Sequence, residues 1–260
     1  MSEYESILYE VEDQVGWITI NNPRKKNPLR KQVWHEIMDV LAKTEEGTDV
    51  RVLVITGKDP AFSSGLDIKE LATVGFKGLG EFLADLLDPH ELLIRYPKPL
   101  IAAINGLAYA GGLELTLFCD CAIASERAEM GFWENRRGLV SGTAFLMLAD
   151  IVGMRHAKEL LLTGKIIDAQ EAYRMGLVNK VVPHEKLHDE VMDLANEMKK
   201  VAPISHKWTR KWFAESRHLN PHKCIGLLWE PFYDLFRSED VVEGFTAFLE
   251  GNREPKWKGK

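Results

Sequence analysis

The sequence predicts an α/β core followed by an all-helical region. Three observations carry this expectation. Short β-branched runs alternate with helical periodicity from Ile7 to Val182, and strand signals vanish after His184. Between them, Ile101–Asp120 passes from an apolar strand through Gly106, Gly111 and Gly112 into an apolar helix whose only charge before its last residue is Glu114. At 260 residues the chain can form one sizeable domain with an appendage. A boundary near residue 200 divides a core, 1–200, from a helical region, 201–260.

Taken in order, Ile7–Val11 and Val15–Ile20 alternate apolar and polar residues around Glu12-Asp13-Gln14, the pattern of a hairpin. The loop N-N-P-R-K-K-N-P-L-R-K carries Arg24, Lys25, Lys26, Arg30 and Lys31 without an acid. Val33, Ile37, Val40 and Leu41 mark a helix over roughly 30–43, and Val50–Thr56 reads as a buried strand. After A-F-S-S-G-L-D-I-K-E comes a short helical segment, and Thr73–Gly80 reads as a mobile glycine-rich connection. Phe82, Leu83, Leu86, Leu87, Leu92 and Leu93 give an apolar helix face, stopped by Pro97 and Pro99. A strand over Cys121–Ala124 precedes helices at Thr143–Ile151 and Ala157–Leu162. Asp168-Ala-Gln-Glu171 has the form of a capping box for a helix ending at Gly176, and Leu177–Val182 is the last strand. Beyond it, one helix carries Leu187, Val191, Leu194 and Met198, another opens at Pro203, and two more cover Ile225–Phe236 and Ser238–Leu249.

Composition narrows the function. A net charge of −6 argues against general nucleic-acid binding, which favours basic surfaces. Cys119, Cys121 and Cys224 imply neither a disulfide framework nor a metal site. The acidic M-S-E-Y-E start shows no signal peptide and no apolar run spans a membrane, so a cytoplasmic enzyme is expected.

The chemistry-bearing features are few. Glycines ahead of a helix let a ligand approach backbone N–H groups, an arrangement suited to a phosphate or a developing oxyanion. On spacing alone the same glycines fit a tightly packed corner equally well. Glu114, on the first turn behind that corner, and Glu134, isolated in M-G-F-W-E-N-R-R-G, are candidate proton-transfer groups. Their bland alternatives are a helix-surface acid for Glu114 and, for Glu134, an ion pair with Arg136 or Arg137. The basic loop fits a phosphate-rich ligand or a solvated surface.

Together, A-F-S-S-G-L-D-I-K-E, I-A-A-I-N-G-L-A-Y-A-G-G-L-E-L and L-T-G-K-I-I-D-A-Q-E-A-Y-R-M-G-L-V-N-K-V-V resemble the crotonase superfamily, the enoyl-CoA hydratase/isomerase family, over nearly the whole chain. The resemblance implies a spiral of ββα units with C-terminal helices that form trimers, often paired as hexamers. It implies an acyl-CoA thioester substrate, with coenzyme A entering as part of that substrate, and no separate cofactor or metal. By match to the motifs, Leu66 and Gly111 would supply the oxyanion-hole amides, and Glu114 and Glu134 would be the hydratase acid/base pair. Ser64, Leu66 and Ile68 would hold the adenine, while Arg24 and Lys69 approach the ribose and phosphates. Hydration of a 2-enoyl-CoA is the leading expectation. Double-bond isomerisation, C–C cleavage or hydrolysis of a cyclic acyl-CoA are the rivals within the family. RNA association, known for some members, fits the acidic balance poorly.

Departures from the family pattern bear on the substrate. Ala110 replaces a common third glycine, and Trp133 stands where a proline is frequent, at the acyl pocket. S-G-T-A-F-L replaces the usual G-G-T-Q-R-L, and Gly251 replaces a lysine that often reaches a neighbour's coenzyme A, with Arg253 close by. Trp208, Trp212 and Trp229 would favour a cyclic or aromatic acyl group if they lined the pocket; packing in the core or an interface is the alternative.

Overall fold

The computed structural model describes residues 4–217, 219–251 and 253–260, without the side chains at positions 71, 74–77, 79, 81–86 and 221. The chain opens with the expected hairpin, β1 (Ile7–Glu12) and β2 (Val15–Ile20), turned by Asp13 and Gln14 with φ of 45° and 62°. Helix α1 (Lys31–Thr44) buries Val33, Ile37, Val40 and Leu41, the stripe that predicts it.

Three ββα units follow. The first is β3 (Val52–Gly57), β4 (Ala61–Ser63) and α2 (Ile68–Arg95); the second is β5 (Leu100–Ile104), β6 (Leu107–Tyr109) and α3 (Gly111–Leu117). The third is β7 (Cys121–Ser125), β8 (Glu129–Gly131) and, after a 3-10 turn at Trp133–Arg137, α4 (Ala144–Thr163). Strand β9 (Ile166–Asp168), α5 (Ala169–Met175) and β10 (Lys180–Val182) close the α/β part. Helices α6 (Leu187–Lys199), α7 (Pro203–Ser216), α8 (Pro221–Leu227), α9 (Trp229–Arg237) and α10 (Glu239–Leu249) complete the chain.

The first strand of each unit joins a six-stranded sheet of order β1-β2-β3-β5-β7-β10, parallel except for the hairpin. The second strand of each unit joins a four-stranded sheet, β4-β6-β8-β9. Period-two alternation builds the core around the large sheet: Leu53, Ile55, Leu100, Ala102 and Ile104 face the main core, whereas Val52, Val54, Ile101 and Ala103 pack under α6 against Leu187, Val191 and Ala195.

Two expectations need correction. Thr73–Gly80 lies inside α2, whose backbone is helical through its glycines and Pro89. A helix tolerates a glycine at about 1 kcal/mol. Of the apolar face expected there, Phe82, Leu83 and Leu86 lie outside the described side chains, Leu87 is exposed and Leu93 is buried. The single helix expected over Ile225–Phe236 is two, α8 and α9, joined at Leu228. Conversely, the two helices expected in 143–162 are real, separated within α4 by Gly153 at φ 78°, ψ 152°. Asp168 caps α5 through Glu171 N at 2.8 Å, as its capping box predicts.

The helical end is tied to the core by Arg210. Its Nε meets Asp120 Oδ1 at 2.8 Å, and its other nitrogens donate to the carbonyls of Leu93 and Tyr96. No helix among the described residues is long and apolar enough to cross a membrane.

Candidate active site

The small sheet decides where the site forms. Strands β4, β6 and β8 are parallel neighbours, so the connections leaving them emerge on one edge. These connections are Ser63–Asp67, Tyr109–Gly111 and Phe132–Arg137. Both glycine turns and both isolated acids are thus brought together by topology.

Gly65 shows how closely the first two connections meet. Its φ is +84°, and a Cβ placed there would lie 3.0 Å from Gly111 N and 2.8 Å from both Ala110 Cβ and Tyr109 O. The neighbouring amides are oriented by their own peptides. Gly65 O accepts from Leu29 N at 2.8 Å, so the Leu66 N–H of that trans peptide points the opposite way. Ala110 O accepts from Glu114 N at 2.9 Å, so Gly111 N–H likewise points out of α3. A Cβ on Gly111 would stand 3.7 Å from Leu66 N, which places both donors around one small space. Ala110 holds φ 52°, ψ −129° there, a strained conformation for a residue with a side chain.

That space opens into a cavity of about 740 Å³ lined by Leu66, Gly111, Glu114, Trp133 and Glu134. Glu114 is 7% exposed, and its Oε1 accepts from Thr143 N and Ala144 N, each at 3.1 Å. Burial pushes its pKa up and the charge of Glu134 pushes it further, while the donors from Ala144 and Thr143 oppose both. Glu134 is half-buried. Its Oε1 accepts from Ser141 Oγ at 2.6 Å, and its buried Oε2 has no hydrogen-bond partner among the described residues. Desolvation raises this carboxyl too, against the Ser141 bond and the charge of Arg137. Neither Arg136 nor Arg137 makes an ion pair with Glu134 among the described residues. Arg136 Nε donates to Thr163 O at 3.0 Å, and Arg137 lies over the Trp133 ring, 4.7 Å from its centroid.

Of the coenzyme A candidates, Ser64, Leu66, Ile68 and Lys69 line the cavity, with Lys25 and Lys26 beside them. Arg24 is exposed on the turn Pro23–Lys25 and lies outside the lining residues. Trp133 forms a wall with Tyr109, whose ring meets it edge-on at 5.9 Å. Trp208, Trp212 and Trp229 do not reach this cavity. Trp208 is buried with its Nε1 on Asp234 Oδ2 at 2.7 Å, Trp212 joins it along a separate groove of about 320 Å³, and Trp229 is exposed beside Tyr233. Arg253 is paired with Glu243 and Glu250, each at 2.7 Å.

The geometry can therefore stabilise an oxyanion with two amides while two carboxyl groups of raised pKa handle protons. A family model for enoyl-CoA hydratase/isomerase matches residues 10–260 of this chain. The chain belongs to that family. It is an enzyme of the crotonase superfamily, and the ββα spiral is that family's fold. Among its relatives, a putative enoyl-CoA hydratase of Thermus thermophilus is 38% identical over 246 residues, covering 94% of this chain and 97% of the relative. A probable enoyl-CoA hydratase of Mycobacterium bovis is 35% identical over 250 residues, covering 95% and 96%. An enoyl-CoA hydratase subunit from Geobacillus kaustophilus superposes with a TM-score of 0.91 at 36% identity over the whole of both chains.

Ser141, Thr143, Tyr109 and Arg137 escaped the sequence reading as site residues. Ser141 and Thr143 sit in the very segment that departs from the family's glycine-rich pattern, and that departure was the available signal.

Proposed function

We propose that this enzyme adds water across the 2,3 double bond of an acyl-CoA thioester. The observation that carries the reading is the meeting of two carboxyl groups with outward-facing Leu66 and Gly111 amides in one cavity. Hydration places hydroxide on Cβ and a proton on Cα, and charge accumulates transiently on the thioester oxygen. The two amides hold that charge; losing one such donor costs about 3–4 kcal/mol. Glu114, fixed through Oε1 by two backbone amides, directs its other oxygen to water at Cβ. Glu134, anchored on Oε1 by Ser141, uses the unpartnered Oε2 for the proton at Cα. Burial raises the pKa of both carboxyls, which favours their holding and passing a proton.

Lys25, Lys26 and Lys69 set local positive charge at the cavity in a protein of net charge −6, where the phosphates of coenzyme A would bind, while Ser64, Leu66 and Ile68 face its adenine. Residues 201–260 serve oligomerisation. Trp229, Phe232, Phe236, Phe245 and Phe248 are at least half exposed on α9 and α10, an apolar surface of the kind that associates.

The test is loss of enoyl-thioester absorbance with product mass on a panel of linear, branched and alicyclic enoyl-CoAs. A gain of one water on at least one class supports a hydratase. A shifted double bond or a cleaved chain without added water moves the assignment to isomerase or lyase. Glu114→Gln and Glu134→Gln should each abolish hydration while leaving CoA-ester binding intact, and turnover retained by both would sink the acid/base roles.

A further inference from the structure

One cation in the cavity is not used by that chemistry. Arg137 lines the cavity on the element that carries Trp133 and Glu134, beside Leu139 and Val140, and not on the turn and helix start that supply Lys25, Lys26 and Lys69. Its guanidinium carbon sits over Trp133, 4.7 Å from the ring centroid, and its Nη1 makes a long bond of 3.4 Å to Trp133 O. No carboxylate among the described residues pairs with it. Its neighbour Arg136 is turned away to Thr163 O, so the two consecutive arginines have different fates.

Spacing fixes what the guanidinium can reach. Trp133–Arg137 is a 3-10 turn, so Glu134 and Arg137 occupy the same face, about 6 Å apart along the axis. With Glu134 at Cα, an acyl group extended along this face meets Arg137 roughly four bonds further on, at about 1.5 Å per bond. The intervening wall of Trp133, Tyr109, Leu139 and Val140 suits a hydrocarbon segment.

We propose that Arg137 receives a second carboxylate carried on the acyl group, so that the preferred substrate is the mono-CoA thioester of a short unsaturated dicarboxylic acid. This rests on the hydratase reading and adds a substrate class to it. A forked guanidinium backed by an indole binds a carboxylate through two charge-assisted bonds. Without that cation, a carboxylate brought near Glu114 and Glu134 is repelled, so the same residue attracts the diacid and removes the barrier against it.

The experiment compares kcat/KM for a five- or six-carbon 2-enedioyl mono-CoA thioester with that for its methyl ester, in the wild type and in Arg137→Met and Arg137→Lys. The wild type should prefer the free acid roughly 10- to 100-fold. Arg137→Met should bring the ratio close to one, and Arg137→Lys should keep part of it, as a point charge without the fork. A wild type that hydrates crotonyl-CoA or the ester yet shows no preference for the acid overturns the inference and leaves the hydratase reading standing. A preference that survives Arg137→Met overturns it as well. Equal losses on acid and ester would mean that Arg137 serves the phosphates common to all CoA esters, which also overturns it. Absence of hydration on every thioester would instead overturn the hydratase reading.

Discussion

Replacing Gly65 with alanine should separate the two-amide arrangement from every other feature of the site. The new Cβ would meet two backbone atoms, Gly111 N at 3.0 Å and Tyr109 O at 2.8 Å, with Ala110 Cβ also at 2.8 Å. None of these is the tip of a flexible side chain, so the Gly65–Leu66 peptide must move away from Gly111. The φ of +84° adds about 1–2 kcal/mol of strain for a residue with a Cβ. That lowers Tm by roughly 2–8 °C for a chain of this size. Displacing one oxyanion donor should reduce kcat about 100- to 1,000-fold. Gly111→Ala is the contrast: its Cβ meets nothing nearer than Leu66 Cγ at 3.6 Å, so the fold should keep its Tm. The methyl nevertheless stands 3.7 Å from Leu66 N, in the space that the thioester oxygen would occupy under the proposed mechanism, and hydration should fall. Hydration rates on the preferred enoyl-CoA and thermal melts of both variants provide the check. A folded Gly65→Ala enzyme with kcat within about five-fold of the wild type would refute the proposal that these amides hold the oxyanion, since donor loss costs far more than that.

Three further outcomes are expected. The native Glu134 carboxyl holds its proton more tightly than the unfolded one, so its contribution to stability is full below the unfolded pKa and declines as pH rises from there through the raised native value. Glu134→Gln lacks that decline, so its Tm advantage over the wild type should widen from pH 4.5 to pH 8, and a gap that is constant with pH would contradict the burial argument. His206 behaves in the opposite sense: burial, with Arg51 and Arg210 nearby, lowers its pKa to about 4, so stability present above the unfolded value is lost as pH falls from 6.5 toward 4. His206→Gln should recover about 1 kcal/mol at pH 5 after allowance for partial exposure, read by denaturant melts at pH 5 and 8. Phe245→Glu places a charge in the exposed aromatic face of α9 and α10, and should convert an oligomer to a monomer in analytical ultracentrifugation; a wild type that sediments as a monomer would remove that role from the face.

The large sheet was legible because its strands are five or six residues long except at β10, with β-branched residues on alternating faces. The small sheet was not. Its strands, Ala61–Ser63, Leu107–Tyr109, Glu129–Gly131 and Ile166–Asp168, have three residues each, too few to show a period. Yet this is the sheet that gathers the site. Periodicity alone therefore could not bring Gly65, Gly111, Glu114 and Glu134 together; motif resemblance named them and the parallel order β4-β6-β8 explains why they meet. Glycine content misled at Thr73–Gly80, because α2 extends through it and composition says nothing about the helix on either side.

The segment that departs from the family pattern is the part of the site with the widest consequence. Within Leu139–Ala144, Ser141 donates to Glu134, the amides of Thr143 and Ala144 donate to Glu114, and Leu139, Val140 and Gly142 line the cavity. One short stretch thus shapes the cavity and tempers, through its donors, the raised pKa of both acids. A change in it cannot alter substrate range alone. Ser141→Ala removes a donor that lowers the Glu134 pKa, so the alkaline limb of kcat/KM, where Glu134 loses the proton it delivers, should move to higher pH even for a substrate whose acyl group never touches residue 141. A pH–rate profile unchanged by Ser141→Ala would show that Glu134 is not the group whose ionisation limits the reaction.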